Sequence, residues 1–186
     1  MKNTKKLVLT ALMCALTCVA TMIIKIPTPT MGYIHPGDAL VLLCGILLGP
    51  VTGGLAAGVG SMFADVFSGY LSYAPATFVI KAVTAIISGL LTNQLIHLWK
   101  SKKMSAIAVV IGGICGEAFM VIGYFVFEIF LMAFTTGDGF TTATLTAGIA
   151  SAGAGIPFNL VQGIFGIMIA TILYPLVSRL NFTEEA

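Results

Sequence analysis

Charged residues are scarce in this chain of 186 residues. They make up 9% of the sequence, whereas hydrophobic residues make up 58% and the mean hydropathy is +1.05. A water-soluble domain carries roughly 25% charged residues, so the composition excludes an ordinary soluble enzyme and a disordered chain. The net charge of +2 provides no basic surface for phosphates, and no nucleic-acid partner is expected.

The sequence also lacks motifs of nucleotide and metal chemistry. It contains no GxxxxGK[ST] run, so any ATP that drives this protein must be bound by another chain. Its four cysteines lie in apolar runs without a CxxC pair and are interpreted as small packing residues: Cys14, Cys18, Cys44 and Cys115. We therefore expect no catalytic residue, no metal site and no cofactor in this chain.

Apolar segments separated by proline, glycine and polar clusters fill the sequence. A membrane-spanning helix needs about 20 apolar residues, so the length accommodates about six spans and no soluble domain. We predict an all-α integral membrane protein that forms a single six-helix domain over residues 1–186. The predicted spans are about 6–26, 37–48, 51–69, 76–98, 105–134 and 148–177.

Span 2 is unusually short. Its residues rise only about 18 Å, less than the roughly 30 Å hydrocarbon core, so a re-entrant segment is an alternative. Six full crossings, however, place most basic residues on one side, and the positive-inside rule then puts both termini in the cytoplasm. These residues are Lys2, Lys5, Lys6, Lys100, Lys102, Lys103 and Arg179, whereas Lys25 and Lys81 fall near the outer face.

Polar residues within the spans share single helix faces. Glu117, Tyr124 and Glu128 of span 5 are 7 and 4 residues apart, and Asn159 and Gln162 share a face of span 6. Ionisable residues inside a membrane mark functional or paired sites. Helix packing is one interpretation, but two carboxyls and two amides need partners, which favours ligand binding by Glu117, Glu128, Asn159 and Gln162.

Lys81 and Asp65 lie near the outer ends of spans 4 and 3. A structural ion pair is one interpretation and contact with a ligand is another. We favour a shared role in which Asp65 holds the Lys81 amine beneath the ligand, because a buried amine needs a partner. The predicted pocket opens outward beneath the loop 27–36 and the aromatic loop of Tyr70 and Tyr73, and its groups suit a small, flat, polar heterocycle better than a bare ion.

Several short motifs, taken in their order along the chain, resemble those of a known protein family. They are residues 32–38 (GYIHPGD), 48–50 (LGP), 58–65 (GVGSMFAD), 73–77 (YAPAT) with Ile80 and Lys81, and 155–163 (GIPFNLVQG). In this order and spacing, they resemble the substrate-binding (S) subunits of energy-coupling factor (ECF) vitamin transporters over nearly the whole chain. In span 1, Ala11 and Ala15 permit close helix approach and resemble the surface by which such subunits dock on a coupling membrane subunit. Packing within the chain is the alternative for these alanines.

The resemblance implies a vitamin site near the outer membrane surface, closed by the first loop. It also implies a complex with a coupling membrane subunit and two ATPases that bind the ATP, and delivery of the vitamin by toppling of the whole subunit. The matching branch includes riboflavin, pyridoxine and hydroxymethylpyrimidine carriers. A compact pocket favours a pyridoxine-like or pyrimidine ring, with riboflavin as the alternative.

A proton-coupled secondary carrier that needs no partner is the alternative of a different class, although the sequence shows no convincing inverted repeat. For the S subunit we expect a multi-pass location in the cell membrane. The predicted substrate-binding residues are Tyr33, His35, Asp38, Tyr73, Lys81, Glu117, Tyr124, Glu128, Asn159 and Gln162. The predicted docking residues are Ala11 and Ala15.

Overall fold

Six α helices and one short β hairpin make up most of the described chain. The computed structural model describes residues 2–28, 32–137 and 139–180. Its helices are α1 (Lys2–Ile23), α2 (Asp38–Leu48), α3 (Pro50–Ser68), α4 (Ala74–Trp99), α5 (Lys102–Thr135) and α6 (Thr142–Val177), followed by a 3-10 helix (Ser178–Leu180). Strands β1 (Ile26–Pro27) and β2 (Tyr33–Ile34) pair antiparallel between α1 and α2. The predicted all-α, six-helix fold is confirmed.

Five helices of the described chain are long and apolar enough to cross a membrane: those over Thr4–Ile23, Pro50–Ser68, Ala74–Trp99, Met104–Thr135 and Thr142–Val177. Leucine, isoleucine, valine and phenylalanine dominate the large side chains on their exposed faces. Such faces suit the hydrocarbon of a bilayer, which cannot solvate polar groups. The multi-pass location in the cell membrane is thereby confirmed.

The short helix α2 lies in the centre of the bundle. All of its residues except Leu40 are buried, and it packs against α1, α3, α4 and α6. Glycines permit this close packing: a Cβ atom at Gly45 would overlap the carbonyl of Ala85, and one at Gly89 would overlap the backbone of Gly45. Because its neighbours shield it from lipid, α2 does not need the length of an independent membrane span.

The direction of α2 follows from its contacts with α4. Asp38, at the start of α2, contacts Lys81, whereas the carbonyl of Ile46 accepts a hydrogen bond from Asn93 further along α4. The two helices therefore run parallel, and α3 returns between them because Gly49 joins it directly to α2. This path agrees with the predicted topology, in which the basic residues at the start of α1 and after α4 and α6 share one side.

Several helix boundaries differ from the prediction by three residues or more, and two of the differences have an identifiable cause. Span 1 was predicted to continue to residue 26, but α1 ends at Ile23 because Pro27 favours an extended conformation at Ile26. Span 6 was predicted to begin at residue 148, but α6 begins at Thr142. Thr141 and Thr144 exchange side-chain and backbone hydrogen bonds there as a capping box, which starts the helix earlier than the apolar pattern indicates.

Candidate ligand-binding site

The outer ends of α3, α4, α5 and α6, together with the hairpin, enclose a polar cavity. Its volume is about 30 Å³, enough for one or two water molecules. Of the predicted substrate-binding residues, the wall includes Tyr33, His35, Tyr73, Tyr124, Glu128, Asn159 and Gln162. The wall also includes Thr28, Gly32, Asp65, Tyr70, Thr77 and Gly155, which the predicted set omits. The polar stripes of α5 and α6 thus converge with both outer loops on one space.

Aromatic rings form much of the cavity wall. The rings of Tyr33 and Tyr70 lie 4.7 Å apart between centroids, and those of Tyr70 and Tyr73 meet edge to face at 6.3 Å. His35 lies 5.4 Å from Tyr33. Tyr124 completes the aromatic set from below and donates a hydrogen bond to Thr77 Oγ1. Rings at several orientations provide stacking and edge contacts for a flat ligand.

Two carboxyl groups lie among these rings. The hydroxyl of Tyr33 donates to Asp65 Oδ1 at 2.7 Å, which ties β2 to the outer end of α3. Tyr73 lies beside the carboxyl of Glu128 in the wall. The pKa of Tyr33 and the pKa of Tyr73 are raised above the usual range, chiefly by burial and next by the neighbouring carboxyl. Both hydroxyls therefore remain protonated at neutral pH and can donate hydrogen bonds.

A buried ion pair lies below the cavity. Lys81 Nζ donates to Asp38 Oδ1 at 2.5 Å, and neither side chain is exposed. The favoured pairing of Lys81 with Asp65 is therefore wrong. The short loop between α3 and α4 makes that pairing plausible in sequence, but α2 inserts Asp38 closer to the amine. Asp65 instead accepts the hydrogen bond from Tyr33.

Gln162 connects the ion pair to the hairpin. Its Nε2 atom donates to Asp38 Oδ2 at 2.6 Å, and its Oε1 atom accepts from the backbone N–H of His35 at 3.0 Å. One amide therefore joins α6, α2 and the segment that follows β2. His35 Nδ1 in turn accepts from the backbone N–H of Gly37, so this segment is held at consecutive positions.

Three of the predicted substrate-binding residues, Asp38, Lys81 and Glu117, do not line the cavity. Asp38 and Lys81 are paired beneath it. Glu117 is 4% exposed, and neither of its carboxyl oxygens has a hydrogen-bond partner among the described residues. Its side chain packs against Gly163 of α6. Helical spacing correctly places Glu117 on the inward face of α5, but its depth puts it one layer below the cavity.

The omitted wall residues carried recognisable signals. Thr77 lies four residues before Lys81 on the polar face of α4, and Tyr70 belongs to the aromatic loop that was expected to form the roof. Asp65 was assigned to an ion pair and not to the wall. Gly32 and Gly155 belong to the motifs 32–38 and 155–163, but a glycine has no side chain that would indicate a role in binding.

The fold and the cavity together define a membrane protein of several apolar helices with a candidate site for a small molecule at one end of the bundle. The chain belongs to the family described as "ECF-type riboflavin transporter, S component", which it matches over residues 1–179. This family is one of transporter subunits and not of enzymes.

Two further comparisons accompany this assignment. The fold is similar to a solved structure described as "Structure and mechanism of the S component of a bacterial ECF transporter", with a TM-score of 0.64 and 22% sequence identity, over 96% of this chain and 98% of that chain. A relative from Pyrococcus woesei, described as "Uncharacterized protein in gap 3'region", is 40% identical over 108 residues. This match covers 57% of the present chain and 66% of the relative, just under two thirds of its length.

The ion pair yields a prediction about stability. Lys81→Met leaves the Asp38 carboxylate buried without its cation, which costs about 3–5 kcal/mol of unfolding free energy. The double variant Lys81→Met with Asp38→Asn should recover most of this loss, because the asparagine still accepts from Gln162 without a charge. Thermal unfolding in detergent measures both effects. Lys81→Met with Asp65→Asn is the matched control, and rescue by Asp65→Asn in place of Asp38→Asn would contradict the pairing.

Proposed function

We propose that this S component captures a small, flat, heteroaromatic vitamin from outside the cell in the cavity beneath the hairpin. The observation that carries the proposal is the composition of the wall, where tyrosine rings surround carboxyl and amide groups. Rings bind the faces and edges of a heterocycle, and a few polar groups fix its orientation.

A ring of pyridoxine or pyrimidine size is the first candidate. The enclosed space of about 30 Å³ is far below the several hundred Å³ of a typical ligand pocket. Any vitamin therefore requires the hairpin to withdraw from the wall, and a small ring requires the least displacement. The contacts that such movement would break are Tyr33 to Asp65 and His35 to Gln162.

Riboflavin is the second candidate, and two observations favour it. The family to which the chain belongs is described by that vitamin. The wall also contains four tyrosines and one histidine, more aromatic surface than the polar stripes alone indicate. A tricyclic ring needs such stacking area, so the aromatic lining removes the main objection to riboflavin.

Delivery of the vitamin would depend on other chains. We propose that a coupling membrane subunit and two ATPases form the complete transporter, that the ATPases bind the ATP, and that the S component topples in the membrane to release its ligand inside. The outward face of α1 supports this proposal because Ala11 and Ala15 are exposed there, between Leu7, Leu12 and Leu16. Small residues among exposed apolar ones let a partner helix approach closely.

Native mass spectrometry of the purified chain, followed by calorimetric titration, tests the ligand assignment. The titrated compounds are pyridoxine, hydroxymethylpyrimidine and riboflavin. We expect a flat heteroaromatic vitamin to copurify, and the small rings to bind more tightly than riboflavin. Tighter binding of riboflavin would select the second candidate. Absence of binding by all three, with uptake by the lone protein driven by a proton gradient, would instead support a secondary carrier.

Substitution of Asn159 tests whether the amide groups of the cavity wall bind the vitamin. Asn159→Ala removes an amide from the cavity and should weaken vitamin binding by roughly 1–3 kcal/mol, the scale for an unpaired buried polar group. Asn93→Ala is the matched control because Asn93 bonds the carbonyl of Ile46, far from the cavity. Equal affinity in the two variants, measured by titration, would assign Asn159 to helix packing.

Substitution of Ala15 tests whether α1 docks on the proposed coupling subunit. Ala15→Trp, like Ala11→Trp, should leave vitamin binding by the isolated subunit intact and abolish uptake in cells, because the indole holds the partner helix away from α1. Ile122→Trp places the same side chain on an exposed site of α5 and should preserve both activities. Parallel loss of binding and uptake in Ala15→Trp would mean that α1 is needed for the fold of the pocket.

A further inference from the structure

We propose that the seam along which α5 and α6 pack binds an anionic phospholipid of the leaflet that holds the predicted cytoplasmic ends of the helices. The site lies further inward along both helices than the polar cavity. It therefore adds a lipid site to the protein and does not depend on the proposed capture of a vitamin. Three observations support it: an apolar groove, a group of basic residues at its inner end, and the length over which the two extend.

An apolar groove of about 460 Å³ runs along the α5–α6 seam, a volume within the roughly 300–1,000 Å³ of ligand pockets. Its described lining consists of Val110, Ile114, Ile164, Ile167, Met168, Thr171 and Ile172. The one hydroxyl of this lining, that of Thr171, already donates to the carbonyl of Ile167 at 2.7 Å. Four of the lining side chains are more than half exposed, so no described segment of the chain covers them. The groove thus offers apolar contact to a molecule in the bilayer.

Contacts between α5 and α6 determine the depth of the groove. A Cβ atom at Gly163 would lie 3.1 Å from the Cβ atom of Glu117, and one at Gly113 would lie 2.9 Å from Cγ1 of Ile167. Four residues along α5 therefore correspond to four residues along α6 in the opposite direction. At this spacing, the groove begins at the level of Glu117, near the middle of α5, and Arg179 lies level with the start of α5.

Basic residues gather at this inner end of the seam. Lys100 and Arg179 are exposed there, and Lys102 and Lys103 occupy the first turn of α5. The acidic residues of the described chain lie nearer the middle or the outer end of the bundle: Asp38, Asp65, Glu117 and Glu128. A basic group beside a groove between membrane helices, on the cytoplasmic side, suits an anionic lipid headgroup.

The distance from the groove to the basic group matches the thickness of one leaflet. Ile164, at the outer end of the groove, precedes Arg179 by 15 residues, which is about 22 Å along a helix. Half of a bilayer with its headgroups is about 20–22 Å thick. Arg179 also follows Ile172 by seven residues, close to two helical turns, and so continues the face of α6 that borders the groove. An acyl chain in the groove therefore places its phosphate near Arg179.

A helix of a partner subunit is the competing occupant of such a groove. The proposed docking residues lie on α1, which packs against α2 and α3, whereas α5 packs against α4 and α6. The α5–α6 seam is therefore on another side of the bundle and remains open to lipid when α1 is docked.

Native mass spectrometry of the purified full-length chain in detergent tests the proposal. The protein is titrated with phosphatidylglycerol and with phosphatidylcholine that carries the same acyl chains. We expect one phosphatidylglycerol to bind at least about tenfold more tightly, because several basic residues face its charge. Equal affinity for the two lipids would overturn the proposal. So would a dimer of the chain in place of the lipid-bound monomer, or release of the lipid on assembly with a coupling subunit, because each would assign the groove to a protein partner.

Two variants locate the site. Arg179→Gln should weaken phosphatidylglycerol binding about fivefold, the effect of one basic residue near a lipid headgroup, and leave phosphatidylcholine binding within about twofold. Lys5→Gln is its matched control on α1. Ile114→Trp fills the groove and should weaken both lipids, whereas Ile122→Trp, on an exposed site of α5 outside the groove, should not. Unchanged phosphatidylglycerol binding in both Arg179→Gln and Ile114→Trp would exclude this site.

Vitamin titration separates this proposal from the proposed function. Neither Arg179 nor Ile114 lines the polar cavity, so both variants should bind the vitamin as the unaltered chain does, which also verifies that they are folded. All variants retain Glu184 and Glu185, which follow the described residues, so any competition by these carboxylates is the same throughout. Loss of lipid selectivity with intact vitamin binding would support the lipid site. Intact lipid selectivity in a chain that binds no vitamin would support it as well, and would contradict only the proposed function.

Discussion

Lys81 and Asp38 meet in the middle of the bundle, where neither side chain is exposed. A buried charge that loses its partner costs several kcal/mol, so the position of α2 relative to α4 is fixed by this contact. Gln162 adds α6 to the same cluster and, through the backbone of His35, the segment after the hairpin. The floor of the cavity and one support of its roof therefore depend on a single ion pair.

Close backbone contacts allow this cluster to form. Gly45 and Gly89 bring α2 against α4, and a Cβ atom at Gly166 of α6 would lie only 2.9 Å from the Cβ atom of Asp38. Without these small residues, the helices would be too far apart for Asp38 to reach both Lys81 and Gln162. The glycine-rich faces thus serve packing, and packing in turn determines which polar groups meet.

Charge is divided between two layers of the protein. The lower layer holds the amine of Lys81 with its carboxylate, whereas the cavity above it holds carboxyls, amides and hydroxyls. Pairing the amine below leaves the described part of the cavity wall without a lysine or arginine, although the chain carries a net charge of +2.

The sequence by itself determined the class of this protein, its six helices and the inward faces of α5 and α6, because hydropathy and helical periodicity are local properties. The loops that cover the cavity could also be predicted, since Tyr33, His35 and Tyr73 flank the spans. The tertiary structure alone decided which ionisable groups pair, which line the cavity and which lie beneath it. Asp38 reaches Lys81 across 43 positions of sequence because α2 is inserted into the centre of the bundle, and helical spacing carries no information about the depth at which two helices meet.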